Sequence, residues 1–373
     1  MADLKRWTLN RHIAVSLLAI TAAMSMIPKA EAAEEACFKT PTPVMSLGFG
    51  SRYEAASKTR SDIDEDSDAA VTKALKPIDQ FIQNLAKVVS KAETEKDVAT
   101  RRQYQRCVVD SIYAWAKADA LNDMRTFNAK LSIPARIGGL AILFAESRDQ
   151  VPGLHDRERI VEKWLQKRGQ EIVYFFENEA TKGAARNNLR AWASLAVGEV
   201  GVLNRDRGMI EWAILSNNTM IVNASPDGSL PLEMNRQRYA LHYQLHAMAP
   251  LVTSVARICD AGYGKGGADL GKLQTMARFS VAAVKDPKIV QKINGKSQTV
   301  KPGLKNNLSA TAWLEPYVAL SNDLEMKAEF EALRPMSNTK LGGNLTKLYD
   351  GEGSAARFRH RTDTSQSDDR RMR

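Results

Sequence analysis

The chain has 373 residues, 44% of them hydrophobic, which is enough to bury a real core in one large domain or two medium ones. Its formal net charge is +10, so the expected partners are acidic. That composition excludes a chain too polar to fold.

The first residues look like an export signal. Lys5, Arg6 and Arg11 form a short basic region, and an apolar run extends from Ile13 to Ile27. The run is shorter than the ~20 residues of a membrane span. Ala30-Glu31-Ala32 then supplies the small-x-small pattern of a cleavage site. Residues 1–32 are therefore expected to be a signal peptide, with a periplasmic or secreted product. No second long apolar stretch follows, so no stable membrane insertion is expected after cleavage. Removing residues 1–32 takes away four bases and two acids and leaves +8. Outside the cytoplasm nucleic acid is a poor partner, and acidic polysaccharide is the natural polyanion.

Residues 33–67 read as an irregular leader, rich in Pro, Ser, Gly and charge. From 68 to about 350 the apolar residues recur at steps of three and four, the period of one helix face. Val71, Leu75, Ile78, Ile82 and Leu85 begin the pattern. Segments 186–204, 207–221, 232–258, 268–284 and 305–321 continue it. Turn chemistry separates them at Ile133-Pro134, Pro152-Gly153, Ser225-Pro226-Asp227-Gly228 and between Gly262 and Gly267. No alternating strand of useful length appears. The expected class is all-α, built from antiparallel helix pairs. Residues 351–373 have almost no apolar content and are expected to form a disordered basic tail.

Three cysteines are present: Cys37, Cys107 and Cys259. A Cys37–Cys107 bridge would tie the leader to a helix, with Cys259 left as a buried thiol. In the chain-entropy picture a loop of that length stabilises by about 4 kcal/mol. The sequence does not fix connectivity. No P-loop, dinucleotide fingerprint or zinc spacing appears, so no cofactor and no metal are expected.

Two segments carry the polar chemistry. The first is Arg186-Asn187-Asn188-Leu189-Arg190-Ala191-Trp192. The second runs from Leu230 to Tyr243, and Arg236 and Tyr243 stand seven residues apart in it. On one continuous helix that spacing places both on one face, with Tyr239 and His246 nearby. Such groups suit a 4-linked uronate. Asn and Arg can neutralise a carboxylate, and a tyrosine beside a cation can move protons.

These segments resemble alginate lyases of the poly(β-D-mannuronate) lyase kind, polysaccharide lyase family five. Asn187-Asn188 and Trp192 match the family's Asn-Asn-His-x-x-Trp motif. Glu233, Arg236, Arg238-x-Ala240-Leu241 and Tyr243 match its arginine–tyrosine motif. Ser51-Arg52-Tyr53-Glu54 is similar to the family's mobile lid, and the likeness covers most of residues 37–330. The resemblance implies an incomplete α/α toroid with a deep groove, cleaving polyuronates by β-elimination without a metal. It further implies Asn188 and Arg236 on the carboxylate and Tyr243 as base and acid. Arg52, Tyr53, Trp192, Arg238, Tyr239 and His246 are the implied substrate contacts.

One position departs from the family. Leu189 stands where the motif carries histidine. Leucine can neither neutralise a carboxylate nor take a proton. Arg190 is turned by ~100° from it on a helix, while His242 or His246 offers an imidazole from the facing helix. Three readings remain open. The protein is a lyase for alginate or a related glucuronate polymer, an inactive polysaccharide-binding protein assisting exopolysaccharide export, or a structural periplasmic protein.

Overall fold

A computed structural model describes residues 37–264 and 268–349. The expected signal peptide and basic tail lie outside the described residues.

The leader is irregular but anchored. Strand β1 (Ser46–Leu47) pairs in parallel with β2 (Asp123–Met124). Cys37 and Cys107 are disulfide-bonded, with their Cα atoms 5.5 Å apart. Cys259 is a free thiol, half-buried rather than buried.

Helices then follow in pairs. The first pair is α1 (Glu65–Thr94) and α2 (Val98–Lys117). Asp64 caps α1 by accepting from the Ser67 N–H, and Glu65, Asp66 and Asp68 suit the positive end of the helix dipole. A short α3 (Phe127–Ser132) leads to the pair α4 (Pro134–Ser147) and α5 (His155–Asn178). The pair α6 (Asn188–Asn204) and α7 (Arg207–Val222) comes next. After a one-turn α8 (Pro231–Met234) stand α9 (Ala240–Asp260) and α10 (Leu270–Lys285). The chain closes with α11 (Lys288–Asn294), α12 (Leu308–Thr311), α13 (Leu314–Ser321), α14 (Leu324–Phe330) and α15 (Leu345–Tyr349).

The pairs stack side by side into an incomplete α/α toroid. Helices α1, α4, α6, α9 and α13 are successive neighbours and form the inner row, while α2, α5, α7 and α10 form the outer row. Composition explains the division. Helix α4 (Pro134–Ser147) is apolar nearly all round, and Ile137, Leu140, Ile142 and Phe144 are all fully buried. Its Leu140 and Leu143 join one core cluster and its Ile142 the other. Helix α6 divides likewise, with Ala193 and Val197 in one cluster and Trp192 and Leu195 in the other. The two inner helices thus weld two cores into one body.

Two expected helices are broken. Residues 232–258 hold α8, a 3-10 turn and α9, because Gln237 takes a left-handed backbone at φ 51°. Residues 305–321 split into a 3-10 turn, α12 and α13.

Near the C-terminus, β3 (Ser337–Asn338) and β4 (Gly343–Asn344) make an antiparallel hairpin around the 3-10 turn Thr339–Leu341. The hairpin lies against the inner helices. Gly342 sits at φ 107°, where a side-chain carbon would come within 2.7 Å of Ile142. Gly139 of α4 lets the Lys340 backbone approach, since a Cβ there would lie 3.3 Å from the Lys340 Cα.

Candidate active site

The site forms where the leader crosses the starts of α6, α8 and α9. Pro231 opens α8, its fixed φ suiting the first helical position. The left-handed Gln237 then opens the 3-10 turn Gln237–Tyr239. Arg236 and Tyr243 therefore do not share one continuous helix, contrary to the expectation from their spacing. The chain bends between them, and the bend itself brings them together. The Arg236 guanidinium lies over the Tyr243 ring, 3.6 Å from its centroid, and 5.3 Å from that of Tyr53. Its Nη2 donates to the Tyr53 hydroxyl at 3.0 Å and to the Arg60 carbonyl at 2.8 Å.

The leader supplies the other wall. Tyr53 is held by a bridge to Ile63, and its hydroxyl hydrogen-bonds that of Tyr243. Burial raises the Tyr53 hydroxyl above the ordinary phenol value, with Arg236 pulling against it. Arg52 is tied to Asp68 of α1.

Asn188 starts α6 behind this centre. It is 1% exposed, and its Nδ2 donates to both oxygens of Glu233 at 3.0 Å. Its backbone N–H donates to the same carboxylate at 2.7 Å. Burial raises the Glu233 carboxyl above its usual range, opposed by those bonds and by Arg236. The structure thus turns the Asn188 amide nitrogen onto Glu233 inside the protein.

The imidazoles lie along α9. Trp192, itself buried, donates from Nε1 to His246 Nε2 at 2.9 Å. A neutral His246 then carries its proton on Nδ1. Burial holds His246 well below its ordinary value, helped by the charges of His242, Lys340, Arg236 and Arg136. His242 stacks 6.0 Å from His246 and meets the Tyr243 ring edge-on at 4.9 Å. Burial and Arg236 lower His242 too, although it keeps exposed surface. Tyr239 lies 6.3 Å from His242, and the exposed Arg238 lies over it at 5.4 Å.

Leu189 is half-buried and packs against the core shared by α1, α2 and α5. Arg190 does not stand in for it. Its Nε donates to Ser216 at 2.7 Å, its Nη2 pairs with Glu177 at 2.9 Å, and it lies 4.1 Å over Trp212. All three partners belong to α5 and α7.

Two residues of the site have no assigned role in the sequence reading. Glu233 stands inside the second motif, and an acid directly after a helix-opening Leu-Pro-Leu was the available signal. Lys340 lies in the C-terminal hairpin and has no local signal. Burial and the neighbouring Arg136 push its ammonium down to about 8, with Asp79 opposing. A separate cavity of about 530 Å³ lies between α3 and α5, and its Lys130, Lys167 and Arg168 are all paired with acids.

Known proteins are similar to this chain over most of its length. The family described as Alginate lyase matches residues 47–290. The chain is 30% identical over 325 residues to an alginate lyase of Pseudomonas fluorescens, covering 84% of each chain. It is 30% identical over 334 residues to one of Cobetia marina, covering 85% of this chain and 84% of that one. Among solved structures, an alginate lyase A1-III variant complexed with tetrasaccharide superposes with a TM-score of 0.67 at 20% identity, covering 87% of this chain and 88% of that one. Alginate lyase A1-III from Sphingomonas species A1 gives a TM-score of 0.64 at 21% identity, covering 84% of this chain and 86% of that one. The helical toroid, the two motifs and the extent of these matches place the chain in the alginate lyase family of polysaccharide lyases.

Proposed function

We propose that this protein is a periplasmic lyase that cleaves a 4-linked polyuronate by β-elimination. The polymer is mannuronate-rich alginate or a related glucuronate polymer. The observation that carries the reading is the Arg236 guanidinium lying over the Tyr243 ring while the two tyrosine hydroxyls meet. Support also comes from relatives named alginate lyase and from a neighbour complexed with tetrasaccharide.

The chemistry assigns each group a task. Arg236 neutralises the C5 carboxylate, which makes the C5 proton acidic. Tyr243, as its phenolate, removes that proton. The C5 electron pair forms the C4=C5 double bond and the C4–O4 bond breaks. The proton on Tyr243 then passes to the departing O4. A cation on the Tyr243 ring face favours negative charge on its oxygen. Burial keeps the Tyr53 hydroxyl protonated, so it serves as donor to that oxygen. Arg52 and Tyr53 form the lid, and Arg238 and Tyr239 line the path of the chain. Asn188 acts through Glu233, and Trp192 through His246, as positioning residues.

A second reading keeps the groove without turnover, as a polysaccharide-binding protein for export. Leu189 and the engaged Arg190 favour it. Ultraviolet absorbance of the 4,5-unsaturated uronate separates the two on alginate, polymannuronate, polyguluronate and polyglucuronate. Product on one polymer is expected, and Tyr243→Phe should lower kcat by about a hundredfold or more. Tight binding with no product on any polymer would sink the lyase reading.

A further inference from the structure

We propose that Lys340 is a carboxylate-binding residue of the groove, taking a uronate neighbouring the one held by Arg236. The inference rests on the lyase family's groove being used for a polyuronate, and it adds a contact from a part of the chain beyond residues 47–290, where the family match ends.

Three observations carry it. The first is placement. The 3-10 turn Thr339–Leu341 is pressed onto α1 and α4 by the close approaches at Gly139 and Gly342, and Asn338 Oδ1 accepts from the Lys340 N–H at 3.0 Å. A lysine held this firmly at the backbone is a fixed part of the wall.

The second is charge balance. Arg52, Arg136, Arg236 and Lys340 act on this part of the groove. Asp68 pairs with Arg52, and Asp79 accepts from Arg136 Nη2 at 2.7 Å. Arg236 is held by a hydroxyl and a carbonyl, which carry no charge. Lys340 has no acid within ion-pair distance among the described residues, the Asp79 charge acting on it only from farther off. Arg236 has the buried Glu233 carboxyl near it, so Lys340 is the cation left without an acid of its own, and a polyuronate presents one carboxylate on every sugar.

The third is cost. Burial and Arg136 disfavour the Lys340 ammonium, so the free protein bears a penalty that an arriving carboxylate would relieve. A lysine kept only for stability has no reason to stand in such a place.

The test uses the mature protein carrying Tyr243→Phe, so that binding is read without turnover. Calorimetry compares an unesterified mannuronate tetramer with its methyl ester. Lys340→Met should weaken binding of the free-acid tetramer about tenfold and leave the methyl ester unchanged, and Lys340→Arg should restore affinity. In the active protein Lys340→Met should raise KM more than it lowers kcat. Equal affinity of Lys340→Met and its parent for the free acid would overturn the proposal. So would a loss of the same size on the methyl ester. Absence of product with Lys340-dependent binding would sink the lyase reading and leave this one standing. Product with no effect of Lys340→Met would do the reverse.

Discussion

Asn188 and Glu233 are locked together by three hydrogen bonds, two from the Asn188 side chain and one from its backbone, all inside the protein. The pair joins the first turn of α6 to the turn that carries Arg236. Arg236 is three residues past Glu233, and its N–H donates to the Glu233 carbonyl at 2.9 Å. The position of the guanidinium over Tyr243 therefore depends on a buried carboxylate that touches no solvent.

Glu233→Ala strands the buried donors of Asn188. Each such group costs about 1–3 kcal/mol when left unsatisfied. Denaturant unfolding should show a loss in that range, together with a fall in kcat as Arg236 loses its support. Full activity with unchanged stability would show that the pair holds nothing in place.

Leu189→His tests the expectation that Leu189 stands where the family motif carries histidine. The side chain is half-buried in the first turn of α6, next to the Asn188–Glu233 brace. A histidine there adds a proton-handling group, and kcat on polymannuronate should rise by up to about a hundredfold. An unchanged or lower rate in a folded variant would mean the leucine is not what narrows the chemistry.

Lys340 gives the pH dependence a definite sign. Its folded-state value is lowered, to about 8. Below that pH the folded protein must hold the ammonium in a desolvated place, near Arg136, Arg52, Asp79 and His246, and the penalty is fully present. It fades as pH rises through 8 toward the unfolded value. Lys340→Met should therefore raise the melting temperature near pH 7, and the gain should shrink by pH 10. The same titration removes a carboxylate-binding charge, so KM for a polyuronate should rise above pH 8 in the wild type. A KM profile identical in Lys340→Met would break the link.

Cys37 and Cys107 close a loop with a sequence separation of 70. The chain-entropy model gives such a link about 4 kcal/mol. Cys37→Ser with Cys107→Ser should lower unfolding free energy by an amount of that order. The leader from Cys37 also carries Tyr53, so activity should fall more steeply with temperature than in the wild type.

Much of the fold was legible in the sequence. The three-four periodicity marked α1, α6, α7 and α10 to within a few residues, since each buries one face or all of its surface. The breaks at Gln237 and between α12 and α13 were not legible. Gln237 is no usual left-handed residue, and its carbonyl accepts from Asn294 Nδ2 at 2.9 Å and Gln298 Nε2 at 3.1 Å, residues distant in sequence. Arg236 and Tyr243 were picked out as partners on a helical spacing, yet they meet across a bend.

The sequence by itself determined that the molecule is helical, because periodicity is a short-range property, and its resemblance to alginate lyases implied that Arg236, Tyr243 and Asn188 share a site. Tertiary structure alone decided how those residues are used. It bonded Asn188 to Glu233, turned Arg190 toward α5 and α7, and brought Lys340 under the charges of Arg136 and Asp79 from the far end of the chain. Each of these is a contact between elements distant in sequence. Burial and charge compensation fix such contacts only when the ring of helices is assembled.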